Sequence, residues 1–145
     1  MLVFEITPAY TEVLAQMHCQ CFDTYWDEAQ FIQLLSLPTT HGLMCECGFI
    51  LFSTVLDEAE IMTFCVLPQS RRMGIGRLLL MQLMEWAKAH HMNRIFLEVS
   101  EENWPARHLY EQVGFTFLSK RPRYYQTPDG FKDALCFVKK IDSKE

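Results

Sequence analysis

No run of apolar residues in this chain is long enough to cross a membrane. The longest are short and broken by charge, whereas a spanning helix needs about 20 such residues in a row. The opening stretch, MLVFEITPAYTEV, has no basic cluster and no extended apolar core, and it meets Glu5 almost at once. A secretory leader is therefore not expected, and the expected compartment is the cytoplasm. Positive charge is also scarce: 13 Lys and Arg stand against 18 Asp and Glu, for a net charge of −5. A sequence-independent nucleic-acid binder needs a basic face, so direct contact with nucleic acid or membrane is not expected. An acidic surface instead draws cationic partners. Cysteines in the C-x₂₋₄-C pairs of structural zinc are missing too. The six present stand as Cys19-x-Cys21, Cys45-x-Cys47, Cys65 and Cys136. Cys45 and Cys47 alternate as strand residues would, and reduced thiols acting as small buried hydrophobes fit better than a metal site. No repeat, low-complexity run or linker interrupts the 145 residues, which suit one domain spanning 1–145 with a substantial core.

Periodicity divides the chain into elements. Apolar residues at 13, 14, 17 and 21 mark a first helix with Thr11 as its N-cap. WDEAQFIQLLSL reads as a second helix, capped near Asp27 and stopped before Pro38. The segment from His41 to Pro68 is rich in β-formers and reads as two or three antiparallel strands, with turns at Gly48 and in LDEAE. RLLLMQLMEWAKAHHMN returns to helix, its polar Arg77, Gln82, Glu85 and Lys88 gathered on one side. RIFLEVS is a short, nearly apolar strand. NWPARHLYEQVGF is a helix with Pro105 in its first turn and Gly114 at its end. Two strands around a turn at Pro128–Gly130 close the chain. The order ααβββαβαββ describes an α/β (α+β) fold: a central mixed, mostly antiparallel sheet flanked by helices.

The stretch QSRRMGIGRLLL lies between a strand and a helix. A helix start has backbone N–H groups without partners and a partial positive charge, so an anion docks there readily. Glycines let the main chain approach it closely. An ordinary helix start is one reading. A dinucleotide fingerprint is another; Glu98 does fall 22 residues after Gly76, but Leu79 occupies the third glycine position and a long loop precedes the first. A P-loop needs Gly-Lys-Ser/Thr, and here Arg77 follows Gly76. What remains is a pyrophosphate cradle of the pattern R-x-x-G-x-G.

R-x-x-G-x-G, then a short strand, then N-x-x-A-x-x-L-Y-x-x-x-G-F at Asn103, Ala106, Leu109, Tyr110, Gly114 and Phe115, resembles the GCN5-related N-acetyltransferase (GNAT) family. The resemblance covers about residues 50 to 120, and the element order fits the GNAT fold along the whole chain. It implies acetyl-CoA as the acetyl donor. It implies that main-chain amides along Arg71, Arg72, Met73, Gly74, Ile75, Gly76 and Arg77 hold the pyrophosphate, and that the pantetheine arm pairs with the backbone of Phe64, Cys65 and Val66. Asn103 would sit near the cofactor, and the N–H near Val66 would face the oxyanion.

Acetyl transfer to an amine requires loss of a proton from the amine, stabilisation of the tetrahedral oxyanion, and protonation of the leaving thiolate. Glu98, the one charge inside IFLEVS, shares a strand face with Phe96 and Ser100. It is either an outward-facing residue or a general base at the floor of a cleft. Tyr110 lies on the apolar stripe Ala106, Leu109, Tyr110, Val113, which by periodicity alone is core. The family resemblance promotes it to the acid that serves the coenzyme sulfur. A covalent acetyl-Cys65 route has no recognisable activating histidine.

The tail KRPRYYQTPDGFKDALCFVKKI, with Arg121, Arg123, Tyr124, Tyr125, Asp129, Gly130, Asp133 and Ala134, is similar to that of ribosomal-protein alanine N-acetyltransferases. So is the loop around Trp26, Glu28 and Phe31. Asp27 and Lys120 depart from that pattern. The resemblance implies a protein N-terminal α-amine as acceptor, ribosomal in origin, with Trp26, Tyr124 and Tyr125 as candidate substrate contacts. One of the two tyrosines should line the groove and the other pack outward. A small-molecule amine (a polyamine, amino acid or aminoglycoside) is the alternative acceptor, and a non-catalytic acetyl-CoA-binding regulatory module is the alternative of another class. The chain is expected to be a monomer or a weak homodimer.

Overall fold

A computed structural model describes residues 1–142; the last three residues of the expected domain lie outside it. Its elements are β1 (Phe4–Glu5), α1 (Thr11–Cys21), α2 (Glu28–Leu35), β2 (Thr40–Cys45), β3 (Gly48–Val55), β4 (Glu58–Val66), α3 (Ile75–Ala89), β5 (Arg94–Ser100), α4 (Trp104–Gln112), β6 (Thr116–Thr127) and β7 (Gly130–Lys140). Among the described residues the strands form one sheet in the order β1-β2-β3-β4-β5-β7-β6. Every neighbouring pair is antiparallel except β4 with β5.

The expected order holds, with one strand added and some boundaries corrected. β1 pairs just two residues, Phe4↔Met44 and Glu5↔Leu43, too short to leave an alternation in the sequence. Thr11 is the first residue of α1 rather than its cap: the cap is Tyr10, and the Thr11 hydroxyl donates to Glu28 Oε2 at 3.2 Å, tying α1 to α2. Gly48 opens β3; the turn before it is Glu46–Cys47, so Cys47 is a buried turn residue, not a strand residue. The Asp27 cap is as expected. Its side chain accepts the Gln30 N–H at 2.9 Å and Gln30 Oε1 accepts the Asp27 N–H at 2.8 Å, satisfying two orphan donors reciprocally.

Strand alternation sorts the core onto two faces. Phe49 and Leu51 of β3, with Met44 and Cys65, meet Leu14, Met17 and Phe31 of α1 and α2. Ile50 and Phe52, with Ile95, Leu97, Val99 and Phe137, meet Leu79, Leu80 and Leu83 of α3 and Tyr110 and Val113 of α4. Burying each of these large side chains is worth about 1.5–3 kcal/mol. The helices thus pin both faces of the inner strands, and β5 carries Ile95, Leu97 and Val99 inward and Phe96, Glu98 and Ser100 to the opposite side.

Candidate active site

β4 and β5 pair only at Glu58↔Arg94, Ala59↔Ile95 and Glu60↔Phe96. β4 continues to Val66 and β5 to Ser100, so their C-terminal halves part. On its other edge β4 slips register with β3, since Leu51 pairs with Thr63 but Phe52 with Ile61. A bulge of this kind bends and twists the strand, which widens the parting. Phe64, Cys65 and Val66 therefore lie on a stretch of β4 with no ladder toward β5.

At the open end β4 passes through a short 3₁₀ turn, Pro68–Ser70, into the loop that starts α3. Gly74 is the N-cap of α3 and has φ 81, a left-handed value that disfavours any side chain; a Cβ there would meet nothing within 4 Å. At Gly76 the reason is space: a Cβ would stand 3.0 Å from Leu109 Cδ2 and 3.4 Å from Phe64 Cζ, so the bare residue lets α3 close on α4 and β4. The first amide of this turn to bond back is that of Leu78, on the Gly74 carbonyl at 3.0 Å. The amides of Ile75, Gly76 and Arg77 precede it and have no carbonyl one turn behind. Arg72, at φ 66, Met73 and Arg77 are exposed, whereas the Ile75 side chain is core. The Arg71 guanidinium folds back, Nε donating to the Val66 carbonyl at 2.9 Å. Asn103 caps α4, its Oδ1 accepting the Ala106 N–H at 3.3 Å.

Glu98 stands in the wall of a cavity of about 320 Å³, with Glu60, Phe96, Ser119, Arg121 and Cys136. Its Oε2 meets Arg121 Nη2 at 2.8 Å and accepts the Cys136 thiol at 3.2 Å. Tyr110 is buried on α4 between Phe64 and Phe115, with ring centroids at 6.2 and 5.8 Å. Burial raises its hydroxyl pKa well above the ordinary tyrosine value, and the nearby Tyr125 hydroxyl raises it further. Tyr125 is raised in turn by its own burial and by the Glu98 carboxylate. Tyr125 is thus the group that feels both the Tyr110 hydroxyl and the Glu98 carboxylate. Tyr124 is half-exposed and lies under the Arg121 guanidinium, 4.5 Å from its ring centroid.

Trp26 does not line this cavity. It stacks on His18 at 5.0 Å between centroids and meets Phe31 edge-on, so it anchors the α1–α2 loop. Its backbone N–H donates to His18 Nδ1 at 3.0 Å, which leaves the proton on Nε2, 3.0 Å from Thr63 Oγ1. Sequence reasoning did not single out His18, and it named Arg121 and Cys136 without joining either to Glu98. His18 left one signal, its place on the α1 stripe with Leu14 and Met17. Arg121 and Cys136 reach Glu98 only through pairing, Cys136 directly opposite it in the β5–β7 register. The thiol of Cys65 is pushed up by burial and then by the neighbouring Cys21 thiol, which makes its thiolate scarce. Among the described residues no cluster of three metal-ligating side chains occurs, and no helix is long and apolar enough to cross a membrane.

Comparison with known proteins places this arrangement. A family model described as "Acetyltransferase (GNAT) family" matches residues 12–115. The "[Ribosomal protein bS18]-alanine N-acetyltransferase" of Haemophilus influenzae is 40% identical over 86 residues, 59% of this chain and 58% of that protein. The protein of the same description from Escherichia coli strain K12 is 37% identical over 100 residues, 69% of this chain and 66% of that one. These alignments leave a third or more of each curated relative unmatched. The crystal structure of the ribosomal-protein-S18-alanine N-acetyltransferase from Escherichia coli superposes with a TM-score of 0.90 at 26% identity, covering 99% of this chain and 96% of that one. With a family match across most of its length and a bare-amide cradle at the mouth of two diverging parallel strands, the chain belongs to the GNAT acetyltransferase family.

Proposed function

We propose that this chain transfers the acetyl group of acetyl-CoA to the N-terminal α-amine of a protein, a ribosomal protein beginning with alanine. One observation carries the reaction: β4 and β5 part after Glu60↔Phe96, which leaves Phe64, Cys65 and Val66 unpaired toward β5 just before the unpartnered amides of α3, and Glu98 stands on β5 beyond the last pair, in the wall of a cavity. Similarity to the bS18-alanine enzymes supports the choice of acceptor, and the net charge of −5 suits a basic N-terminal segment.

The cradle fits a diphosphate: the first turn of α3 offers N–H groups and a partial positive charge, and Gly74 takes the left-handed cap that starts the turn. Arg71 through Arg77 hold the pyrophosphate of acetyl-CoA, the free edge of Phe64, Cys65 and Val66 takes its pantetheine arm, and Asn103 caps the helix alongside. The α-amine attacks the thioester carbonyl directly. An α-amine titrates near 8 and a lysine near 10.4, so at neutral pH roughly a tenth of the former is already uncharged. Glu98, directly or through one water, takes the amine proton. Arg121 and Cys136 both occupy Oε2, which leaves Oε1 for that role.

Tyr110 serves the sulfur as the carbonyl–sulfur bond breaks. Its raised pKa keeps the phenol protonated at working pH, the state a donor needs. The same shift makes complete transfer to a thiolate of ordinary pKa about 8.5 uphill, so the acid role is chiefly a hydrogen bond to the departing sulfur. Tyr125 lines the acceptor side with Glu98, while Trp26 anchors the α1–α2 loop on His18 and Phe31. This reading places the chain in the cytoplasm as a monomer or weak homodimer.

The test is acetylation of a peptide beginning with alanine, assayed against spermidine, free amino acids and an aminoglycoside. Acetyl on the peptide α-amine, with kcat/KM at least tenfold above every free amine, is expected. Preference for a free amine overturns the acceptor, and coenzyme A release that no acceptor accelerates overturns the transferase reading.

A further inference from the structure

The strand that carries Tyr124 and Tyr125 is irregular at one place. Arg121 pairs with Ala134 and Tyr125 with Lys132, so Pro122, Arg123 and Tyr124 all stand against Asp133 alone. Arg123 takes φ 55 to make this possible, a left-handed conformation that persists in a non-glycine residue only when its surroundings impose it. Pro122 contributes no N–H that the bulge would strand.

Asp133 supplies what imposes it. Its Oδ1 accepts the Arg123 N–H at 2.9 Å, and its Oδ2 lies 3.5 Å from Lys120 Nζ. Its own backbone is fixed as well. The Asp133 N–H donates to Glu101 Oε2 at 2.8 Å, and its carbonyl accepts the Glu101 N–H at 3.0 Å. The Glu101 carbonyl in turn accepts Arg107 Nη1 of α4 at 2.8 Å. One residue of β7 therefore joins the bulge in β6 to the turn between β5 and α4, the elements that bear Glu98 and Tyr110.

We propose that Asp133 is a positioning residue for the acceptor: by holding Arg123 left-handed, it turns the β6 wall so that Tyr125 faces Glu98 and Tyr110 while Tyr124 stays outside under Arg121. Regular alternation would place successive residues on opposite faces but would not fix which one reaches Glu98. A one-residue slip of the strand exchanges the two tyrosines. The proposal rests on the acetyltransferase reading for its kinetic consequence but not for its structural one.

The test compares Asp133→Ala, Asp133→Asn and Lys120→Met in the full chain. It measures steady-state kinetics with an alanine-starting peptide and with acetyl-CoA, and amide hydrogen exchange over residues 120 to 127. D133A is expected to raise the peptide KM about tenfold, the scale of one charge-assisted hydrogen bond, and to leave the acetyl-CoA KM within about twofold. Its exchange in that segment should accelerate by at least as much. D133N keeps an acceptor for the Arg123 N–H and should recover most of both effects, and K120M should match the unaltered protein. Exchange unchanged in D133A, D133N as impaired as D133A, or K120M reproducing the loss would each overturn the proposal. Should the unaltered chain acetylate no peptide, the acceptor reading falls, and the exchange comparison still decides whether Asp133 holds the bulge.

Discussion

Glu98 meets two donors on one oxygen, the Arg121 guanidinium at 2.8 Å and the Cys136 thiol at 3.2 Å. That arrangement fixes the carboxylate and leaves its other oxygen without a side-chain partner among the described residues. Glu98→Gln keeps the shape and removes the proposed base, so kcat/KM at neutral pH should fall about a hundredfold or more, the usual scale for a general base. The deficit should narrow as pH rises toward the amine's own pKa of about 8, because the acceptor then sheds its proton unaided; a pH–rate profile of both proteins checks this. Tyr110→Phe keeps the ring against Phe64 and Phe115 and should lower kcat about tenfold or more with little change in Tm. Full kcat in that variant would remove Tyr110 from the mechanism. In neither case did periodicity assign the role. Strand alternation separated Glu98 from Ile95, Leu97 and Val99, and helical spacing put Tyr110 in the core, where it is. The partners of Glu98 are a product of the sheet order, which brings β7 and β6 to β5 from later in the chain.

At the scale of elements, the start of α3 and the α1–α2 loop show two kinds of constraint. Gly74 is required for its φ of 81, not for space. Gly74→Ala should therefore cost on the order of 1 kcal/mol in stability and weaken acetyl-CoA binding about tenfold, read by calorimetry, because the strained cap realigns the amides that follow it. The loop is held by His18, neutral between the Trp26 N–H and Thr63, with burial lowering its pKa from 6.5 to about 4. A folded-state value below the unfolded one means the unfolded chain binds the proton first. The His18 contribution is thus complete above pH 6.5 and is lost as pH falls toward 4. Thermal unfolding across that range should show a steeper drop in Tm for the unaltered protein than for His18→Asn. The helices, the cap at Asp27 and the hairpin turn were legible in the sequence, because capping and turn chemistry are local. The two-residue β1, the β6 bulge and the His18 clasp were not, because each depends on partners 10 to 45 positions away.

At the scale of the whole fold, two helical layers pin a sheet whose only parallel neighbours among the described residues come apart after three residue pairs. The parting leaves an edge of β4 unpaired toward β5, and under the proposed reading the donor lies along it and the acceptor meets it there, so that direct transfer needs no protein-bound intermediate. Cys65, on that edge, is disfavoured as a nucleophile by the upward shift that burial gives its thiol. Rapid-quench mixing of the protein with acetyl-labelled acetyl-CoA and an alanine-starting peptide tests this account most directly. It predicts label on the peptide α-amine in step with coenzyme A release and none on the protein at any time. Label trapped on the protein, or coenzyme A released without acetylated peptide, would contradict it.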